Sequence, residues 1–226
     1  MITDYRKQSE LIDAQEFDKP IHVIGAGALG SWVAFILLKM GFKDVNVYDF
    51  DEVEEHNIPN QLYREKDISK KKHDAMWYLY QEFFNDGDNN RLTTHNKRIT
   101  KASAKSLSGI VLCCVDSMQG RKMIYEGCFK EGNAELFIEG RIGLFGAFVY
   151  TLHNKSDEEF NKYRETLYAD EEAEVSACGV SQTALPSAIN CASMIVMQMI
   201  SLYRGNKISN MIQYQIPDLL CFKEEW

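Results

Sequence analysis

A glycine-rich turn near the N-terminus constrains the fold more than any other part of this sequence. The string GAGALG occupies residues 25–30, directly after the apolar run IHVI at 21–24 and before the apolar stretch SWVAFILLKM at 31–40. A strand, a glycine turn and a helix in this order are typical of a βαβ unit that binds a nucleotide. The sequence therefore predicts a nucleotide at this turn.

Each residue of the turn has its own role in such a site. Gly25 permits the tight turn, Gly27 lets backbone N–H groups approach a phosphate, and Gly30 lets the helix pack close to the strand. Ala28 belongs to the same phosphate-binding turn. Asp49 ends the next predicted strand, where a carboxylate accepts hydrogen bonds from ribose hydroxyls.

The glycine turn and Asp49 do not determine which nucleotide binds. An NAD-dependent oxidoreductase has the same glycines and the same carboxylate, so dinucleotide binding fits these residues as well as ATP does. A turn that binds nothing is disfavoured, because a strand precedes the glycines, a helix follows them and the acid lies at the expected distance. The choice between ATP and NAD needs other residues.

The rest of the chain continues the alternation of strand and helix, which favours one α/β domain over residues 1–226. We expect a Rossmann-like, doubly wound, mostly parallel sheet with some antiparallel strands in its C-terminal half. The polar segment at 153–177 is predicted to be a mobile crossover loop. Further strands are predicted at 45–48, 91–99, 109–115, 135–139 and 144–152, and helices at 73–84, at 101–107, after residue 116 and at 186–203.

Composition excludes several other classes of protein. A formal net charge of -8 disfavours nucleic acid as a partner. The six cysteines form no C-x-x-C pair, so we expect reduced thiols and a cytoplasmic location. The charged N-terminus does not resemble a signal peptide. The apolar stretch from 184 to 203 contains Pro186, Asn190 and Gln198, so we expect a buried helix rather than a membrane span.

Three strings after the glycine turn carry a family resemblance. DFDEVEEHNIPNQ begins at Asp49, DISKKK ends at Lys72, and CCVDSMQGRK contains Asp116. In order and spacing they resemble the motifs of the ThiF/MoeB/HesA superfamily, which includes the ubiquitin-activating enzymes, over roughly residues 5–205. The resemblance implies ATP as the nucleotide.

The resemblance also assigns roles in the first of these strings. Asp49 corresponds to the family acid that binds the ATP ribose, and Asp51 is the second acid of the same D-x-D. Asn57 and Gln61 match the first and last positions of an N-x-x-R-Q motif. Asn60 stands where the family has arginine, which removes one expected phosphate contact.

The other two strings supply a cation, a metal ligand and an arginine. Lys72 matches a lysine that neutralises the charge of the triphosphate, a role that Lys70 or Lys71 could share. Asp116 matches the family aspartate that binds Mg²⁺, and it follows a buried strand, where an acid faces the ligand crevice. Arg121, one turn into the next helix, is expected to position phosphates or a substrate carboxylate.

Two further segments resemble the family. Cys178, in SACGVSQTALPSA, resembles the catalytic cysteine of compact members and is a candidate nucleophile, with an inert cysteine as the alternative. DYRKQ at 4–8 resembles a segment that reaches into the ATP site of the other subunit of a homodimer. Lys7 takes the place of its arginine, with Arg6 beside it.

The function implied is adenylation of the C-terminal carboxylate of a ubiquitin-like or sulfur-carrier protein by a cytoplasmic homodimer that uses ATP and Mg²⁺. Thioester formation on Cys178 would be a second step. Three alternatives stay open: a peptide or RNA-linked substrate, an NAD-dependent oxidoreductase, and a catalytically weakened scaffold subunit.

Overall fold

The computed structural model describes residues 4–84, 91–168 and 182–226. The strands are β1 (Ile21–Ile24), β2 (Val45–Asp49), β3 (Leu92–Asn96), β4 (Ser108–Cys113), β5 (Asn133–Ile142), β6 (Gly146–Leu152), β7 (Met211–Gln215) and β8 (Leu220–Glu224). The helices are α1 (Gly30–Met40), α2 (Lys72–Phe84), α3 (Lys101–Ala104), α4 (Met118–Tyr125), α5 (Asp157–Glu165) and α6 (Leu185–Tyr203).

The strands form one mixed sheet in the order β3-β2-β1-β4-β5-β6-β7-β8. The first five strands along the chain pair in parallel, and the β5–β6, β6–β7 and β7–β8 pairs are antiparallel. This confirms the expected Rossmann-like class. The sequence did not predict β7 and β8, whose side chains are mostly half-buried or exposed and so lack an apolar run.

Helices cover both faces of the parallel part of the sheet. α1, α2 and α6 pack over one face, where Val23 and Val47 are buried among their side chains. α3, α4 and α5 contribute to a second core on the other face, around Val111 and Phe137. Strands buried on both faces need apolar residues at consecutive positions, which explains why the sequence contains IHVI and GIVLCCV.

The apolar helix predicted near residue 186 is α6, which begins with a proline in its first turn, where no N–H is needed. By length and composition it could cross a membrane, and half of its most apolar window is buried inside the protein. Cys191 and Ile195 are fully buried in the core that α6 shares with α1. These contacts confirm the prediction of a buried helix.

The polar segment predicted as a crossover loop contains a helix. α5 begins after Ser156, whose hydroxyl accepts a hydrogen bond from the backbone N–H of Glu159 at 3.1 Å. The buried Glu159 carboxylate in turn accepts N–H groups from His153 and Asn154. Residues 169–177 of the segment, and Cys178 after them, lie outside the described residues.

The loop between β2 and α2 is fixed by its own backbone hydrogen bonds. Val53 and Lys70 pair at 2.9 Å, Ser69 donates to Val53 at 2.9 Å, and Lys72 donates to Asp51 at 2.9 Å. Ser69 has a φ of 69°, in the left-handed region that glycine prefers. Ser69 therefore holds a backbone conformation that glycine adopts more readily than serine does.

We therefore expect Ser69→Gly to raise the free energy of unfolding by about 0.5 kcal/mol. The left-handed conformation costs a non-glycine residue roughly 1–2 kcal/mol, and the freer unfolded chain of the glycine variant offsets about 0.4–1 kcal/mol of the gain. Urea unfolding measures the change. Ser193→Gly, within α6, is the control and should instead destabilise by about 0.5 kcal/mol. Destabilisation by both variants would contradict strain at Ser69.

Candidate functional site

The glycine turn lies where the strand order reverses, between the C-terminal ends of β1 and β4. Gly25 has a φ of 91°, and a Cβ on Gly30 would lie 1.8 Å from the carbonyl oxygen of Gly25. A Cβ on Gly27 would meet nothing closer than Gln61 Nε2 at 4.0 Å. Gly25 and Gly30 therefore shape the turn, whereas Gly27 leaves an open approach to the N-terminus of α1, which favours anions.

Asp49 joins the end of β2 to this turn. Its Oδ2 accepts the backbone N–H of Ala26 at 2.7 Å, and its Oδ1 accepts that of Asp51 at 2.8 Å. The side chain is buried. Each carboxylate oxygen keeps a further lone pair, so Asp49 can fix the turn and still accept a hydroxyl hydrogen bond from a bound ligand.

Lys72 is the lysine of the KKK run that faces the site. Its Nζ lies 3.6 Å from Asp51 Oδ2, and its side chain is nearly buried. The two lysines before it are paired elsewhere: Lys70 with Asp67 at 3.0 Å and Lys71 with Glu52 at 3.1 Å.

Asp116 follows β4 and adds a third carboxylate to the same region. Burial, then the charge of Asp49, and also that of Asp116, raise the pKa of Asp51, while Lys72 opposes them. Asp116 is exposed, so its oxygens are accessible to a ligand. Among the residues that the structure describes, no three His, Cys, Asp or Glu side chains form a metal cluster. Asp51 and Asp116 suit Mg²⁺ that keeps water or phosphate as its other ligands.

Asn57 and Gln61 lie on the same loop but differ in what they contact. The Asn57 side chain is buried and accepts the backbone N–H of Glu54 at 3.0 Å, which shapes the loop. The Gln61 amide lies beside Gly27, and its Oε1 is buried with no partner within the described chain. Gln61 is therefore the one of the two with polar capacity left beside the turn.

Arg121 is buried and forms an ion pair. It donates to Glu139 Oε1 at 2.6 Å and to the carbonyl of Gly140 at 2.9 Å. Arg141 also donates to Glu139, at 2.5 Å, and Tyr163 donates its hydroxyl to the same carboxylate. This environment leaves Arg121 little freedom to follow a ligand, and its role toward phosphate or carboxylate stays a prediction.

Arg121 and Arg141 also line a cavity of about 1220 Å³. Asp116 also lines this cavity, together with the β5–β6 turn and amides that include Gln182 and Gln213. The cavity thus opens next to the candidate metal ligand. Its position suits a substrate whose reacting group must reach the nucleotide.

The remaining predicted residues are placed as follows. Ala28 lies in the turn before α1. Burial raises the pKa of Cys113 to about 12 and also that of Cys191, so neither thiol ionises near neutral pH. Arg6 pairs with Asp4, and Gln8 donates to the carbonyl of Met40 at the far end of α1. Any reach of this segment to a partner subunit stays a prediction.

Sequence reasoning missed Tyr63, a buried residue that supports the turn. Its hydroxyl donates to the carbonyl of Ala26 at 2.8 Å, and burial raises its pKa well above the usual value. The Ala26 peptide unit is therefore fixed from both sides, through its N–H by Asp49 and through its C=O by Tyr63. A lone tyrosine in a polar loop gives no signal of this role.

The fold and the site together define a Rossmann-like nucleotide-binding protein. The ThiF family model matches residues 14–224, and the chain belongs to the ThiF family. This confirms the resemblance carried by the three motif strings.

Relatives in sequence match part of the chain. The NEDD8-activating enzyme E1 catalytic subunit of Caenorhabditis elegans is 32% identical over 108 residues, which cover 46% of this chain and 24% of the relative. Ubiquitin-like modifier-activating enzyme 5 of Caenorhabditis briggsae is 28% identical over 125 residues, 50% of this chain and 29% of the relative. The chain thus matches less than a third of the length of these two relatives.

Solved structures share the fold at low sequence identity. PaaA superposes with a TM-score of 0.71 at 20% identity, covering 98% of this chain and 81% of PaaA. MccB of E. coli, solved with AMPCPP and MccA, gives a TM-score of 0.69 at 13% identity, and the match covers 94% of this chain and 65% of MccB. The E. coli tRNA N6-threonylcarbamoyladenosine dehydratase TcdA gives a TM-score of 0.66 at 16% identity, and the match covers 91% of this chain and 99% of TcdA.

We expect Gly27→Ala and Gly30→Ala to fail in different ways. A methyl group on Gly27 meets open space, so the variant should keep its melting temperature within about 2 °C but bind MgATP at least tenfold more weakly, because the methyl blocks phosphate approach. Gly30→Ala forces the turn apart and should lower the melting temperature strongly. Thermal unfolding and calorimetric titration measure both effects. Unchanged MgATP affinity in Gly27→Ala would place the phosphates elsewhere.

Glu139→Gln should destabilise the protein by about 3–5 kcal/mol at pH 7, because it leaves two buried guanidinium groups without their carboxylate. Burial alone would raise the pKa of Glu139, but Arg121 and Arg141 outweigh it and the pKa is lowered. The stabilisation of the fold by the ionised Glu139 carboxylate is therefore complete above the pKa of the unfolded state, about 4.3. It is lost as the pH falls through the lower pKa of the folded state.

Urea unfolding of the wild-type protein and of Glu139→Gln between about pH 3 and pH 7 tests this. The difference between their free energies of unfolding should narrow only below about pH 4. Glu135→Gln is the matched control, because Glu135 is half exposed and pairs with Lys19 at the surface. It should change stability by less than about 1 kcal/mol. A constant difference across the whole range would mean that the pKa of Glu139 is the same in the folded and the unfolded protein, so that its ionisation adds no net stability.

Proposed function

We propose that this chain binds ATP at the glycine turn and adenylates the C-terminal carboxylate of a ubiquitin-like or sulfur-carrier protein. The observation that carries the proposal is the convergence of Lys72, Asp51 and Asp116 beside the open N-terminus of α1. An oxidoreductase needs no lysine and paired carboxylates at this place, whereas a triphosphate does.

The chemistry needs positioning and charge neutralisation more than proton transfer. A substrate carboxylate is already ionised at neutral pH and attacks the α-phosphorus of ATP through one oxygen. The bond from the α-phosphorus to the bridging oxygen breaks, and pyrophosphate leaves as the acyl-adenylate forms. Lys72 and the N–H groups at the start of α1 stabilise the negative charge that moves onto the leaving oxygens.

Mg²⁺ fits the carboxylates that the chain presents. Asp116, with Asp51 beside it, offers the hard oxygen ligands that this ion prefers. Bound there with the triphosphate, Mg²⁺ would neutralise charge on the phosphate oxygens. Lys72 forms an ion pair with Asp51 at 3.6 Å, which keeps its ammonium group beside the same carboxylate.

The substrate assignment draws on the relatives, whose names include activation of NEDD8 and of ubiquitin-like modifiers. The structural neighbours widen the range: MccB was solved with MccA, and TcdA is named for a modified tRNA adenosine. The cavity next to Asp116 supports a protein or peptide tail, since its walls carry aromatic rings, amides and two arginines. In a second proposed step the Cys178 thiolate attacks the acyl carbon of the adenylate, and the bond to the phosphate oxygen breaks so that AMP leaves as the thioester forms.

We also propose that the chain functions as a homodimer. Ile189 and Met197 project from α6 and are about 40% exposed, which leaves an apolar face on a helix whose other side is in the core. Met197→Glu should therefore halve the mass measured by light scattering. A monomeric wild-type protein would remove this part of the proposal.

Exchange of labelled pyrophosphate into ATP tests the adenylation directly. It should require a small protein or peptide with a free C-terminal carboxylate and should vanish when that carboxylate is an amide. Lys72→Ala should lower kcat/KM for exchange by about 10²–10³, the usual cost of one charge-stabilising donor. Lys71→Ala is the matched control and should stay within about twofold, because its Nζ pairs with Glu52.

Other results would point to the alternatives. Thermal stabilisation by NADH but not by MgATP would favour an oxidoreductase. Exchange supported only by tRNA would move the substrate to an RNA-linked group. Tight MgATP binding without exchange for any ubiquitin-like protein, sulfur carrier or short peptide would indicate a scaffold subunit.

A further inference from the structure

Asn60 occupies the motif position where the family has arginine, and the structure gives its amide a definite partner. Asn60 Nδ2 donates to Thr183 Oγ1 at 2.6 Å and lies 3.4 Å from the Thr183 carbonyl oxygen. Thr183 comes two residues before α6. The contact thus joins the loop beside the glycine turn to the start of a helix 123 positions further along the chain.

The loop end of this contact is itself fixed to the nucleotide side. The carbonyl of Asn60 accepts the indole N–H of Trp32 at 3.1 Å, and the N–H of Leu62 donates to Ser31 Oγ at 3.2 Å. Trp32 and Ser31 lie in the first turn of α1, directly after the glycines. Any ligand that orders the N-terminus of α1 therefore also orders the residue that reaches Thr183.

The other end of the contact borders the substrate cavity. Gln182, next to Thr183, lines the cavity, and Ser187 in the first turn of α6 donates to the carbonyl of Leu144 in the β5–β6 turn. The start of α6 is thus fixed at one side by the nucleotide loop and at the other by the cavity wall. In the described chain no other side-chain hydrogen bond links residues 57–62 to residues 182–203.

We propose that Asn60 is a positioning residue that couples the nucleotide site to the start of α6 and, through it, to the cavity. It replaces the charge of the family arginine with a neutral link between the two sites. Only the substrate-cavity side rests on the proposed function; the coupling itself requires only that a nucleotide binds.

Hydrogen–deuterium exchange with and without saturating AMPCPP and Mg²⁺ tests the coupling. In the wild-type protein the nucleotide should slow amide exchange in a peptide covering residues 184–190 about fivefold, the factor that one neutral hydrogen bond is worth. Asn60→Ala should lose this ligand-dependent slowing. By reciprocity its affinity for the nucleotide falls by the same factor at most.

Three variants separate positioning from other roles. Thr183→Val removes the shorter hydrogen bond from the opposite side and should reproduce the effect of Asn60→Ala, with no further loss in the double variant. Asn60→Arg restores the family residue and should also lose the slowing. Asn190→Ala, which removes only a bond to Pro186 within α6, is the control and should keep the ligand-dependent difference.

The results distinguish this inference from the proposed function. Full ligand-dependent slowing in Asn60→Ala, or tighter nucleotide binding with the slowing retained in Asn60→Arg, overturns the coupling. Nucleotide binding without any slowing at 184–190 in the wild-type protein also overturns it, whatever the pyrophosphate exchange shows. Slowing without pyrophosphate exchange supports the coupling and overturns the adenylation. Asn60→Ala should fold, because it also removes a buried amide oxygen that has no partner within the described chain.

Discussion

The site depends on the two hydrogen bonds that the buried carboxylate of Asp49 accepts. One is from the N–H of Ala26 in the glycine turn and the other is from the N–H of Asp51 in the following loop. A buried carboxylate is costly unless such donors surround it, so the folded chain keeps β2, the turn and the loop in one arrangement. Tyr63 then closes the turn from its carbonyl side. As a consequence, the open N-terminus of α1 and the candidate metal ligand Asp51 are held in fixed positions.

A second group of buried charges organises the other half of the sheet. Glu139 on β5 takes donors from Arg121, Arg141 and Tyr163, which joins α4, β5 and α5. Arg141 also donates to both oxygens of Thr166, at the end of α5. The Glu139 carboxylate thus holds both guanidinium groups where they line the cavity.

The sequence predicted the parts of this molecule that depend on local spacing. The strand, glycine turn and helix follow from GAGALG, and Asp49 follows from its distance to that turn. The resemblance favoured Lys72 as the lysine of the site but left a shared role open for Lys70 and Lys71, because their pairing with Asp67 and Glu52 depends on the folded loop. The contact of Asn60 with Thr183 is equally invisible in the sequence, since it depends on how distant segments pack.

β7 and β8 were missed for a different physical reason. β8 lies at the edge of the sheet and buries none of its residues, and β7 beside it buries only Ile212, so neither strand needs the apolar run or the alternation that marks a strand. The residues of β8 are all exposed, including Leu220 and Phe222. These side chains contact solvent rather than a core, so core packing does not restrict which residues occupy β8.

The exposed edge of β8 favours association between molecules in solution. The outer edge of β8 carries backbone N–H and C=O groups that no described strand satisfies, next to apolar side chains, which is the arrangement through which sheets of separate molecules join and precipitate. Lys223 and Glu224 place opposite charges on the same five-residue strand. Charged side chains on an edge strand disfavour pairing with a strand of another molecule, and these two are the charged residues that β8 carries.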